Sequence, residues 1–188
     1  MLVVFVNKML AILTISSQIF LVVGFVYFLL FRKDKENPII SFFSRNGLAC
    51  AFFISLFATI FSLFYSEIAG FEPCKLCWLQ RIFMYPQVFI LGLAWLKKDY
   101  KIVDYGIVLA IVGGLIALYH NYIYYGGTSI FPCDAFGLGV SCVRRYVFEF
   151  GFVTIPLMSL TSFLLVLGFL WLRKFYNRKE FAANAKIQ

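Results

Sequence analysis

An all-α protein that crosses a membrane five times is what this sequence predicts, and three observations predict it. Hydrophobic residues make up 62% of its 188 residues and charged residues only 14%, far from the roughly 45–50% apolar content of soluble domains. Five apolar stretches, at 9–31, 47–70, 78–96, 102–124 and 151–172, reach the roughly 20 residues a helix needs to cross the hydrocarbon core. The connections between them are short, the longest covering 125–150, so no sizeable soluble domain fits and the function is exercised in the bilayer or at its surface.

The first stretch begins near Lys8, a pattern that signal peptides share. Its apolar run is longer than a signal sequence needs, no small-x-small cleavage site follows, and Arg32-Lys-Asp-Lys-Glu36 holds its far end, so a retained helix is expected. The second stretch leads to a corner containing Cys74 and Cys77, from which the third departs. The third and fourth are joined by the basic turn Lys97-Lys-Asp-Tyr-Lys101, and the fifth ends in a basic tail from Arg173 that reads as solvated or disordered. No internal repeat or low-complexity segment is present.

The net charge of +8 is not that of a nucleic-acid binder, because the basic residues sit in short segments between apolar runs, without a basic face or an interleaved aromatic groove. Lys and Arg in short loops mark the cytoplasmic side of a membrane protein. Arg32, Lys33, Lys35 and Arg45, then Lys97, Lys98 and Lys101, then Arg173, Lys174, Arg178, Lys179 and Lys186 fall on one side and account for most of the 17 basic residues. The expectation is a multi-pass protein of the cytoplasmic (inner) membrane, with its N-terminus outside, its C-terminus cytoplasmic and both cysteine pairs on the outer face. Thiols there meet an oxidising compartment.

Four of the five cysteines form two pairs. Cys74 and Cys77 lie in Glu-Pro-Cys-Lys-Leu-Cys-Trp-Leu-Gln-Arg, a Cys-x-x-Cys at the head of an apolar run. Pro73 favours a helix start, where free N–H groups and the dipole stabilise a thiolate. Such a pair holds a reversible disulfide; a structural disulfide or half of a metal site are the other uses of the motif. A metal site wants four ligands, and the single His120 with two distant cysteines is a poor set, so no metal is expected. Cys133 and Cys142 bracket a stretch containing Gly137 and Gly139 that closes easily, and Arg144 and Arg145 favour the thiolate of Cys142. A permanent loop disulfide is the alternative for this pair, but beside Cys74 and Cys77 a relay is favoured, in which one pair exchanges with the other and with an outside partner. Cys50 has no partner and reads as a small buried hydrophobe.

Arg81 follows Cys77 by four residues, about 6 Å deeper along a helix at a 1.5 Å rise per residue. A charge inside the apolar boundary costs a few kcal/mol. Either it snorkels to headgroups or it polarises an oxygen of an electron acceptor held next to Cys77. His120, the one histidine, falls in the same leaflet, as an interfacial histidine in an aromatic belt or as a member of the acceptor site. Gln80, Trp78 and Tyr119 are further candidates to line that pocket, and Glu67 and Glu72 are expected to be wet.

Taken together, these residues resemble the membrane thiol oxidases of the disulfide bond formation protein B family, including their short Gram-positive-type forms. The resemblance covers 47–172: four helices, the Cys-x-x-Cys followed by Trp-Leu-Gln-Arg, the basic turn and the later cysteine pair. It implies a four-helix transmembrane bundle with one additional N-terminal transmembrane helix, divided as 1–46 (extra helix and basic cytoplasmic loop), 47–172 (redox bundle) and 173–188 (basic cytoplasmic tail). It also implies catalytic roles for Cys74, Cys77, Cys133 and Cys142. A thioredoxin-like extracytoplasmic dithiol oxidase of the DsbA type would give electrons to the Cys133–Cys142 disulfide, which Cys74–Cys77 reoxidises. Cys77 would then pass them to a membrane quinone, ubiquinone or menaquinone, with Arg81 and His120 as quinone contacts. The first helix and the close spacing of Cys133 and Cys142 depart from the family's usual plan.

Three other readings compete. A vitamin K epoxide reductase-like enzyme also combines four helices, two cysteine pairs and a quinone, but its loop pair would precede the Cys-x-x-Cys. A thiol reductant exporter needs cysteines reachable from inside, and a membrane metal carrier would want more Met and His than this chain has.

Overall fold

The computed structural model describes residues 1–31, 37–128 and 142–184, with the side chains from 177 onward outside the description. Among the described residues the chain is helical apart from turns and one isolated bridge between Glu149 and Val153. Five helices are long and apolar enough to cross a membrane. They are α1 (Leu2–Phe31), α3 (Gly47–Leu63, extended by a π-helical turn Phe64–Ile68), α4 (Lys75–Lys97), α5 (Val103–Tyr124, preceded by a 3-10 turn Tyr100–Ile102) and α6 (Ile155–Asn184). Short α2 (Pro38–Arg45) precedes α3.

Helices α3 to α6 form a ring in which α3 packs on α4 and α6, and α5 on α4 and α6. Small residues decide how closely α5 meets α6. Gly106, Ala110, Gly113 and Ala117 recur on one face of α5 and are buried, the pattern that lets membrane helices approach and gain van der Waals contact without a hydrophobic driving force. A Cβ on Gly113 would lie 2.3 Å from the Phe163 ring of α6, so that ring occupies the space the glycine leaves. Met84, Ala117 and Phe163 fill the middle of the bundle, and Leu48, Leu91, Val166 and Leu170 the end rich in Lys and Arg.

Helix α1 stands outside the ring and packs on α6. It is held at three levels. Val6 and Leu10 join Tyr65 and Val147 at the cysteine end, Gln18 Nε2 donates to Thr161 Oγ1 at 3.1 Å near the middle, and Phe28 meets the rings of Trp171 and Phe175 at the opposite end.

Several element bounds differ from the sequence reading for identifiable reasons. Helix α1 starts at Leu2 because the residues before Lys8 are apolar and nothing there breaks a helix. Asn37 and Pro38 open α2 inside what reads as a basic loop. The Asn37 side chain accepts from the N–H groups of Ile39 and Ile40, and Pro38 takes the first turn, where its missing N–H costs nothing. Helix α6 starts at Ile155, after a turn in which Gly151 adopts φ +78°. It then continues to Asn184 through the segment expected to be an irregular tail. Its Arg173 is buried, donates to Ser44 O at 3.5 Å and lies 4.0 Å over the Tyr100 ring, while Lys174 pairs with Asp104 of α5.

Candidate functional site

The site is built at the head of α4. Cys74 is the extended N-cap residue (φ −71°, ψ 172°), and the first helical hydrogen bond runs from Trp78 N–H to its carbonyl at 3.0 Å. Three residues on, one turn brings Cys77 back beside it. Both are free thiols, with sulphurs 3.2 Å apart. Cys74 is buried and Cys77 half-buried.

His120, from the last turn of α5, is 3% exposed and connects three groups. Its Nε2 lies 3.2 Å from the carbonyl oxygen of Cys142 and 3.7 Å from Cys74 Sγ, and its Nδ1 lies 3.0 Å from Gln80 Nε2. A carbonyl only accepts, so Nε2 carries the proton, and Nδ1 accepts from the Gln80 amide. The imidazole therefore presents an N–H to the Cys74 sulphur. The Cys77 thiol, the His120 N–H and the Cys77 backbone N–H all favour negative charge on Cys74. Against the opposing effect of burial they bring it down to about 4. Cys74, Cys77 and His120 place three potential metal-ligand atoms within 4.8 Å of one another, but as a donor Nε2 has no lone pair to offer an ion.

Arg81 lies one turn further along α4. It turns toward α3 rather than toward headgroups: Nε donates to Ser62 Oγ at 3.1 Å and Nη2 to Ser62 O at 2.9 Å. Tyr85 donates to the same hydroxyl at 3.2 Å, and the Trp78 ring lies 5.1 Å from the guanidinium carbon. The Nη1 group has no hydrogen-bond partner among the described residues. Cys74, Cys77, Gln80, Arg81, Tyr85, His120 and Cys142 all border one cavity of about 780 Å³, whose other walls come from α1, α3 and α6. Buried hydroxyls of Tyr65 and Tyr146, residues that also border it, lack partners among the described residues. A quinone fits this donor set: one uncommitted guanidinium group for a carbonyl oxygen, a dithiol beside it and an apolar surround.

The structure thus brings Cys74, Cys77, Arg81, His120 and Cys142 into one place. Cys142 is disulfide-bonded, and Cys133 lies outside the described residues. Of the other candidates, Gln80 is at the centre of the site through His120. Trp78 and Tyr119 do not border the cavity, and Glu67 and Glu72 are exposed as expected. Arg145 lies over the Tyr124 and Phe148 rings, and Arg144 over Tyr146. Cys50 is half-buried rather than buried. Ser62 and the α1 wall were missed by the sequence reading, since their partners are distant in the chain and neither carries a motif.

A buried dithiol at a helix start, a disulfide-bonded cysteine next to it and five membrane-length helices define a membrane thiol–disulfide protein. Residues 44–172 match the family model of disulfide bond formation protein DsbB, and the chain belongs to that family. It is 46% identical over 123 residues to "Probable disulfide formation protein C 1" of Bacillus cereus, covering 64% of this chain and 86% of that protein. It is 41% identical over 130 residues to "Disulfide bond formation protein C" of Bacillus subtilis, covering 68% and 91%. It is also 41% identical over 137 residues to the "SPbeta prophage-derived disulfide bond formation protein B" of Bacillus subtilis, covering 72% and 90%. No solved structure matches significantly. The chain is therefore a disulfide-forming membrane protein, and α1 lies outside the matched residues.

Proposed function

We propose that the protein is a thiol:quinone oxidoreductase of the cytoplasmic membrane, with both cysteine pairs on the outer face, that reoxidises a thioredoxin-like dithiol oxidase. The observation that carries this reading is the Cys74/Cys77 pair, 3.2 Å apart, on the wall of a membrane-embedded cavity that also contains Arg81. The two cysteines have different neighbours. Both border the cavity, but Cys74 adjoins Cys142 through His120, whereas Cys77 lies one turn from Arg81.

The partner's two thiols reduce the Cys133–Cys142 disulfide and become a disulfide themselves. The resulting loop dithiol reduces Cys74–Cys77 by thiolate attack through a mixed disulfide, with two protons released and taken up along the way. When bound, a quinone would supply the sink for the two electrons and two protons that the Cys74–Cys77 dithiol loses as its disulfide is regenerated. His120 holds the Cys142 backbone against Cys74, so exchange between the pairs needs little movement, and its N–H stabilises the Cys74 thiolate. Stabilising the reduced form makes the Cys74–Cys77 disulfide a stronger oxidant, about 1.4 kcal/mol for each 30 mV in a two-electron couple. Arg81, anchored on Ser62, keeps Nη1 directed to an acceptor oxygen.

The test is anaerobic quinol formation by the purified full chain in detergent, with a reduced thioredoxin-like protein as donor. Cys77→Ala should abolish it. Cys133→Ala should block oxidation of the donor while leaving the Cys74–Cys77 pair able to form; normal donor oxidation in that variant refutes the relay.

A further inference from the structure

The acceptor cavity is too long for a ring alone. Its border on α3 runs from Ile54 to Tyr65 and on α6 from Ile155 to Leu165, which at 1.5 Å per residue is about 15 Å along the bundle. The dithiol and Arg81 occupy one end. The remainder is bordered mainly by apolar side chains, with Ser159, Thr161 and Ser162 of α6 among them, and by one face of α1. Met9, Leu13 and Ser16, with Leu10, Thr14 and Ser17 beside them, repeat at the i, i+4, i+7 spacing that sets residues on a single helix face.

Helix α1 lies outside the region that matches the family, yet it is fixed in place. The Gln18–Thr161 hydrogen bond and the Phe28 contacts hold it to α6, and Val6 and Leu10 hold it to the cluster around Tyr65. It makes no comparable packing with α3. The four-helix ring without α1 would leave this side of the cavity open to lipid. With it, the cavity gains a wall made by Met9, Leu13 and Ser16.

We infer that α1 forms a subsite for the apolar tail of a lipid-soluble quinone whose ring sits at the Cys77 and Arg81 end. This rests on the acceptor reading above and adds to it a tail contact on a helix that lies outside the family-matched residues. An acyl chain of a membrane lipid is the competing occupant.

The experiment uses the full chain and two readouts. In the first, a menaquinone analogue with a benzophenone at the end of its tail is photolysed with the protein and the adducts are mapped by mass spectrometry. Adducts between Met9 and Ser17, displaced by excess menaquinone but not by phospholipid, support the subsite. Adducts confined to α3–α6, or displaced equally by phospholipid, overturn it. In the second, Leu13→Trp narrows the cavity from the α1 side, and the ratio of KM for menaquinone to KM for tail-less menadione should rise about tenfold. An unchanged ratio overturns the inference. The two readings fail separately: a wild-type chain that reduces menadione but yields no α1 adduct loses only the subsite. One that reduces neither acceptor loses the oxidoreductase reading itself.

Discussion

His120 Nε2 lies 3.7 Å from Cys74 Sγ and 3.2 Å from the Cys142 carbonyl, so a single N–H group faces both the Cys74 sulphur and the backbone of the disulfide-bonded Cys142. Gln80 fixes the tautomer that makes this possible. The histidine thus acts as a positioned donor in a site where burial strengthens each hydrogen bond.

The first prediction concerns pH. Cys74 is held down at about 4 by the Cys77 thiol and His120, against about 8.5 for a free cysteine. A depressed value in the folded state means that the thiolate's contribution to the stability of the reduced form is complete above the free-cysteine value. It is lost as pH falls through about 4. Alkylation of the reduced protein should show a reactive thiolate at Cys74 down to about pH 4. His120→Phe should move that limit upward and make the Cys74–Cys77 pair more readily oxidised. An unshifted profile in His120→Phe would remove the imidazole from the argument.

The second concerns Arg81. With Nε and Nη2 committed to Ser62, truncation removes the Nη1 group of the proposed acceptor contact and also frees the Ser62 carbonyl. Charge-assisted hydrogen bonds contribute about 1.5–3 kcal/mol, so Arg81→Ala should raise KM for quinone by about tenfold or more. The rate of exchange between the cysteine pairs should stay close to that of the wild type. An unchanged KM would mean that the guanidinium only anchors α4 to α3.

The third concerns the α5–α6 contact. Gly113→Ala puts a methyl where the Phe163 ring stands, at 2.3 Å, and overpacking of this kind costs about 1–3 kcal/mol. Thermal unfolding in detergent should show the loss. Gly24→Ala, with nothing within 4 Å of the added Cβ, should be neutral or slightly stabilising through helix propensity.

Much of the fold was legible because the bilayer imposes a length. A run of about 20 apolar residues has few other uses, so five spans could be read directly, with errors confined to their ends. The start of α4 was legible from Pro73 and Cys74. Helix α2 was readable in principle from the Asn37 cap and Pro38, but the charged residues around it outweighed that signal. The continuation of α6 beyond Arg173 was hidden because charged helix formers look alike in a helix and in a solvated tail.

The sequence by itself determined that this is a membrane protein of five apolar helices carrying a Cys-x-x-Cys at a helix start and a second cysteine pair. Hydropathy and local spacing are properties of contiguous residues. Only the tertiary structure decided that His120, 46 residues from Cys74, donates to it. It likewise decided that Arg81 turns onto Ser62 and that α1 forms a wall of the cavity. Each of these depends on how the helices are rotated about their own axes. That rotation is set by packing such as Phe163 against Gly113, a contact between residues far apart in the chain.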